Sequence, residues 1–280
     1  MLTIGKYNKL KVSKKSQKGF YFQADEHEIF MPIQNNLDEL EIGQEISVFV
    51  YQDNDNNILA TTKKPFAQLE EFALLTVKDV KDFGAFLDWG IDKDLLAPNR
   101  QQKVPMKSSY HYIVYLYNDE ATGRITASSR WTDFINYEPN TLKENEEVDL
   151  LIADKSDLGY NAIINNKYVG LVYSNEIFEP LKPGDRKKGY IKTKREDNKI
   201  DLMLQPKGYK HVENSKDKII EILTRNDGFL SINDNSSPEE IYQKLQMSKK
   251  AFKKTIGGLF KERLIEILPD GIRLLNPTKK

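Results

Sequence analysis

Apolar and polar positions alternate in short runs through the first three quarters of the chain, and the runs recur in the same order. Alternation at a period of two marks strands with one buried face, and Gly, Asn and Asp between the runs supply turns. A first unit, residues 1–64, carries Leu10-Lys11-Val12, Gly19-Phe20-Tyr21-Phe22, Ile29-Phe30-Met31-Pro32, Val48-Phe49-Val50 and Ile58-Leu59-Ala60. A second unit, 66–138, repeats the order with Phe83-Gly84-Ala85-Phe86, Leu95-Leu96-Ala97-Pro98, Ile113-Val114-Tyr115-Leu116 and Ile125-Thr126-Ala127. A third, 142–207, offers Val148-Asp149-Leu150-Leu151, Gly159-Tyr160, Val169-Gly170-Leu171-Val172-Tyr173, Tyr190-Ile191 and Ile200-Asp201-Leu202-Met203. Each unit has the length and strand count of a small closed barrel such as the five-stranded OB-fold, and closure leaves no sheet edge to protect.

The period changes after Pro206-Lys207-Gly208. Ile219, Ile220, Ile222 and Leu223 predict a first helix. Ser237-Pro238-Glu239-Glu240 predicts a capped start for a second, reaching Leu245. Ser248 caps a third from Lys249 to about Arg263, with Phe252, Ile256, Leu259 and Phe260 at helical spacing. Leu264 to Leu268 and Ile272 to Leu275, joined by Pro269-Asp270-Gly271, predict a hairpin. Three helices and a hairpin over 211–276 make a winged helix. The fold expected is mainly β and multidomain: three five-stranded OB-fold barrels in tandem, followed by a small α/β winged-helix domain.

Composition removes several functions. There are no cysteines, which excludes disulfides, thiolate catalysis and cysteine metal sites. No apolar run is long enough to span a bilayer, and the N-terminus lacks a signal-peptide pattern, so a soluble cytoplasmic protein without a membrane partner is the expectation. His27, His111 and His211 are scattered rather than paired. Neither a phosphate-cradling Gly-x-x-x-x-Gly-Lys nor a nucleophile elbow occurs. Carboxylates such as Glu144, Glu146 and Glu147 fall in loop-like sequence. No catalysis and no cofactor are expected.

Net charge is zero, with 42 basic and 42 acidic residues, but the distribution is uneven. Residues 1–23 hold six lysines and no acid, and residues 25–57 hold nine acids and no Lys or Arg. Such segregation builds a local field within a neutral molecule. Over Thr76–Asp88, Val77, Val80, Ala85 and Leu87 can face a core, leaving Phe83, Phe86, Lys78 and Lys81 on the outer face. Exposed rings stack on unpaired bases and lysines neutralise phosphates. The competing reading buries both phenylalanines. Further cations gather from Gly184 to Lys210, among them Lys192, Lys194 and Arg195, beside Tyr190 and Tyr209. Lys249, Lys250, Lys253 and Lys254 line the third helix opposite its apolar stripe. Lysines lack the planar forks that read bases, so this helix suits backbone contact better than sequence reading.

Lys81-Asp82-Phe83-Gly84-Ala85-Phe86 resembles the signature of the RNA-binding domain first described in ribosomal protein S-one. Gly170-Leu171-Val172-Tyr173 resembles its later Gly-Leu-Val-His motif, with Tyr173 at the histidine position. Three such units and a winged helix resemble the bacterial conserved virulence factor B family across nearly the whole chain. The resemblance implies a non-catalytic, cytoplasmic RNA-binding protein that regulates gene expression after or during transcription, with a link to virulence regulation. It also implies that the two aromatics and the histidine line the RNA groove. Only the second unit keeps both aromatics, and it has Ala97 near the histidine position. The first has Lys18 and Tyr21 in place of the aromatics, with Phe20 and Phe22 turned inward. The third has Leu158 and Asn161, leaving Tyr173 supported by Tyr160.

The expected single-stranded RNA site is therefore shared between units: Tyr21, Lys78, Lys81, Phe83, Phe86, Tyr160, Tyr173, Lys192, Lys194, Arg195, Lys249, Lys250, Lys253 and Lys254. Two alternatives stand beside it. One is a protein scaffold associated with the ribosome or RNA polymerase; the other is a duplex-DNA regulator acting through the winged helix.

Overall fold

The computed structural model describes residues 2–24, 26–33, 40–138, 141–177, 180–195, 197–206 and 211–275. They fall into two compact units, residues 1–137 with 163–169, and 138–162 with 170–280.

In the first unit, β1 (Tyr7–Ser16), β2 (Gly19–Ala24), β3 (His27–Pro32), β4 (Glu45–Gln52) and β5 (Ile58–Thr61) close a barrel in the order β1-β2-β3-β5-β4. The antiparallel pairs follow the alternation of the sequence, and a short parallel contact between Phe30 and Leu59 joins β3 to β5. Val12, Phe20, Phe22, Ile29, Met31, Val48 and Val50 fill the interior, so Phe20 and Phe22 point inward as their alternation with Tyr21 requires.

The second barrel repeats this order with β6 (Phe72–Lys81), β7 (Gly84–Leu87), β8 (Leu95–Pro98), β9 (His111–Asp119) and β10 (Arg124–Ser128). Its sheet runs β10-β9-β6-β7-β8, and the outer strands β8 and β10 lie side by side. Thr76–Asp88 is a hairpin that turns at Asp82-Phe83. A β-bulge then breaks the alternation: Val77 pairs with Leu87 but Asp79 pairs with Phe86, leaving Lys78 as the extra residue. Val77, Ala85 and Leu87 are buried as expected, whereas Val80 lies beyond the bulge and is 40% exposed. The first barrel carries the same bulge, with Val12 opposite Phe22 and Lys14 opposite Tyr21.

The first barrel keeps its own interior, and the opposite face of β4 packs into the core of the second. Phe49 of β4 meets Trp89 of the second barrel edge-on, with ring centroids 5.4 Å apart, and both belong to one cluster with Tyr51, Ala67, Leu75, Leu95 and Leu116. The Trp89 indole donates to Ala67 O at 2.7 Å. Polar clasps surround this contact: Arg124 donates to Asn54 O at 3.0 Å and Asn56 Oδ1 at 3.1 Å, and Lys93 Nζ donates to Asp53 O at 3.2 Å. Burial of the Lys93 ammonium, with help from Arg124, holds its pKa below the usual lysine range.

The second unit contains most of the third barrel and the winged helix. β11 (Glu147–Ser156), β12 (Gly159–Ile164), β13 (Tyr168–Tyr173), β14 (Arg186–Lys194) and β15 (Ile200–Met203) close in the order of the first barrel. The winged helix follows as α1 (His211–Arg225), β16 (Phe229–Leu230), α2 (Pro238–Leu245), α3 (Lys249–Lys261), β17 (Ile265–Leu268) and β18 (Gly271–Leu274). Ser237 caps α2 through a reciprocal pair, accepting from Glu240 N at 3.1 Å while Glu240 Oε2 accepts from Ser237 N at 2.9 Å. Ile219, Leu223, Ile241, Leu245, Phe252, Ile256 and Leu259 form the core. Phe260, expected in that stripe, is 54% exposed. It follows Leu259 by one residue, about 100° around the helix, and so leaves the core face.

A glycine opens the second strand of every barrel because the third strand crosses it closely. A Cβ at Gly19 would lie 2.1 Å from Met31 O, at Gly84 2.7 Å from Ala97 O, and at Gly159 2.0 Å from Val172 O.

Candidate nucleic-acid interface

The β6–β7 hairpin presents Phe83 at its turn, 60% exposed, and half-buried Phe86 on the outer face of β7. Their ring centroids are 5.9 Å apart and nearly perpendicular. Of the two readings of this pair, the outward one is what the fold contains. Exposed edge-to-face rings at a turn leave a stacking surface that no core residue covers.

Lys78 and Lys81, expected beside the rings, are both exposed and both ion-paired. Lys78 Nζ lies 2.8 Å from Asp94 and Lys81 Nζ 2.6 Å from Asp79. Hydrogen bonds to these carboxylates raise both lysine pKa values, so the ammonium groups stay charged. In the first barrel Tyr21 is half-buried and meets Phe30 at 5.0 Å, while Lys14 Nζ stands 5.1 Å from the Tyr21 ring centre. In the third, Tyr160 is half-buried and Asn161 donates to Asp154 at 2.7 Å. Tyr173 carries the Arg195 guanidinium 5.9 Å from its ring centre and accepts a hydrogen bond from it, and Arg195 also holds Asp201 at 3.1 Å. Lys192 pairs with Glu176 at 2.7 Å, and Lys194 is exposed.

The strand register fixes the histidine position in each barrel. Ser174 N donates to Leu158 O, Asn99 N to Phe83 O and Ile33 N to Lys18 O, which makes Tyr173, Pro98 and Pro32 equivalent. Ala97 is fully buried and equivalent to Val172, one residue before the histidine position. That position is therefore proline in the first two barrels and tyrosine in the third, and a proline side chain there supplies no hydrogen bond to a base.

In the winged helix, Lys250, Lys253 and Lys254 are exposed along α3, and Lys249 Nζ is 3.5 Å from Asn235 O. Among the described residues these three exposed lysines have no carboxylate within ion-pair distance, unlike Lys78, Lys81, Lys192 and Arg195. Gly257 lies on the same helix, and a Cβ there would meet open space. The fold thus brings Phe83 to Phe86 and Tyr173 to Arg195, and leaves Lys250, Lys253 and Lys254 exposed along α3. Sequence reasoning missed Lys14, Phe30, Asp79 and Asp201. The first three depend on cross-strand register, and Asp201 on the Arg195 pairing. Asp25, Asp38, Glu39, Glu196, Lys207, Gly208, Tyr209 and Lys210 lie outside the described residues.

Among the described residues, no group of three His, Asp or Glu could hold a metal ion, and no helix is long and apolar enough to cross a membrane.

Residues 4–63 match the S1 domain model, and residues 217–274 match the CvfB-like winged helix domain model. Conserved virulence factor B of Staphylococcus aureus is 26% identical over 255 residues, covering 88% of this chain and 83% of that protein. Over most of its length the chain is similar to the conserved virulence factor B proteins. Another relative of similar extent is protein YitL of Bacillus subtilis, 25% identical over 265 residues, 90% of this chain and 87% of that one. A solved Streptococcus pneumoniae structure, described as a multidomain protein with nucleic acid binding domains, is 21% identical and covers 97% of this chain and 98% of its own, with a TM-score of 0.44. The S1 match falls on the first barrel, whereas the fuller aromatic pair lies in the second.

Proposed function

We propose that this protein is a non-catalytic, single-stranded RNA-binding regulator of gene expression, acting in the cytoplasm after or during transcription. The exposed Phe83–Phe86 pair is the observation that carries this reading. A large ring 60% exposed at a turn gains nothing from the core, and a paired ring surface suits unstacked bases. The S1 and winged-helix matches support it, because both module types are associated with nucleic-acid binding.

The ion pairs set the electrostatics. Lys78, Lys81, Lys192 and Arg195 meet a phosphate only by exchanging a carboxylate partner for it. Exposed pairs of this kind contribute little because solvent screens them, so the exchange is accessible. Stacking, worth about 1–3 kcal/mol per base, then carries more of the affinity than net charge does. Tyr21, Tyr160 and Tyr173 extend the aromatic contacts, and Lys194, Lys249, Lys250, Lys253 and Lys254 supply backbone contacts.

The test is titration of labelled single-stranded RNA with the full chain and the F83A/F86A double variant at several salt concentrations. The double variant is expected to bind about tenfold more weakly or worse. Unchanged affinity in the double variant would remove the second barrel from the site.

A second reading rests on α3, whose exposed lysines without carboxylate partners favour contact with the backbone of a nucleic-acid duplex. Preference for duplex DNA in direct competition with single-stranded RNA would promote it.

A further inference from the structure

The β-bulge places a carboxylate where a nucleic-acid surface has reason to avoid one. Regular alternation from Val77 would turn Asp79 inward; the extra residue Lys78 instead sets Asp79 directly opposite Phe86 on the outer face. Side chains opposite one another on antiparallel strands are near neighbours, so Asp79 stands beside the Phe86 ring. Its orientation is fixed at both oxygens. Oδ1 accepts from Val80 N at 2.8 Å and Oδ2 accepts from Lys81 Nζ at 2.6 Å. The Lys81 hydrogen bond, and then the Val80 N–H, lower its pKa, so the group remains an acceptor throughout the neutral range. Each oxygen keeps a lone pair for a further donor.

The same post-bulge position differs in the other barrels. In the first it is Lys14, a cation standing over Tyr21. In the third, Asp154 occupies the corresponding place, and Asn161 already donates to it at 2.7 Å. Asp79 differs in combining a fixed carboxylate with an adjacent ring. It repels phosphate and lessens the local gain from Lys81, which is unfavourable unless it recognises something other than the backbone.

We propose that Asp79 is a specificity-determining residue that selects guanine over uracil at Phe86. The inference rests on the single-stranded RNA reading of the second barrel. A base stacked on Phe86 brings its polar edge past Asp79. Guanine offers N1–H and an N2 amino group side by side, two donors that match two carboxylate oxygens. Uracil offers one N–H between two carbonyl oxygens, and both carbonyls are repelled by the carboxylate. Lys14 makes no such distinction, because an ammonium over Tyr21 attracts any phosphate.

The experiment measures binding of a labelled oligouridine strand, and of the same strand with guanosine at alternate positions, to the full-length protein and its D79A and F86A variants. The ratio of the two affinities is the readout, since freeing Lys81 in D79A strengthens phosphate attraction for both strands alike. The unmodified protein is expected to prefer the guanosine-containing strand by about fivefold or more, the scale of one bidentate base contact. D79A brings the ratio close to one without weakening oligouridine binding, and F86A weakens both strands. A ratio near one in the unmodified protein, or a ratio unchanged in D79A, overturns the selection by Asp79 while leaving RNA binding intact. If F86A leaves both affinities unchanged, the second barrel is not an RNA face and the inference falls with that reading.

Discussion

A methyl group added at Gly19 would press on the carbonyl oxygen of Met31, part of a backbone that cannot swing aside. Gly19→Ala is therefore expected to cost about 2 kcal/mol, as overpacking against fixed atoms does, measured by urea unfolding. The equivalence of Gly19, Gly84 and Gly159 was legible in the sequence as the start of each repeated run. Which neighbours they meet was not, because a strand's partners come from distant segments. The same gap explains two positions. Ala97 stands near the histidine position in the sequence, and the Gly84–Pro98 pairing places Pro98 at it. Asp79 carries no signal of its own in the sequence, because a bulge changes facing without changing any residue type in the pattern.

At the scale of elements, the winged helix was the easiest part to read, since its signals are local. Ser237-Pro238-Glu239-Glu240 states a helix start within four residues, and the reciprocal Ser237–Glu240 hydrogen bonds form it. Ser237→Ala is expected to destabilise this domain by about 1 kcal/mol. The backbone N–H of Ser237 holds the Glu240 pKa below its ordinary value of 4.5. Because the folded value is the lower one, the stabilisation is present above pH 4.5 and is lost as pH falls through the folded value. Thermal melts of the full chain across this acid range, compared with Glu240→Gln, check the sign: the variant loses that part of the acid sensitivity. Phe260 shows the limit of periodic reading. It stands one residue past Leu259, close enough in sequence to join the apolar stripe and far enough around the helix to leave it.

At the scale of the molecule, repeated strand order revealed the barrels, but not that the outward face of β4 packs into the core of the second. Phe49 and Trp89 each look like the core residue of their own unit, and only the structure shows one ring against the other. Trp89→Ala is expected to cost about 3 kcal/mol or more and to weaken both barrels together. Hydrogen exchange provides the check: protection should fall in β4 of the first barrel as well as in the second. Loss confined to the second barrel would mean that the contact does not couple the two barrels energetically.

The Phe49–Trp89 contact also gives the first two barrels the character of a ruler. Modules on a flexible tether gain from each other in proportion to a local concentration that declines smoothly as the tether lengthens. Two barrels packed directly against each other have no tether to vary. On the proposed RNA reading, a strand held at Tyr21 and at Phe86 crosses a separation set by packed side chains, and its intervening nucleotides are counted rather than averaged. Affinity should therefore rise in a step when a strand becomes long enough to reach both rings, with little further gain as it grows beyond that length.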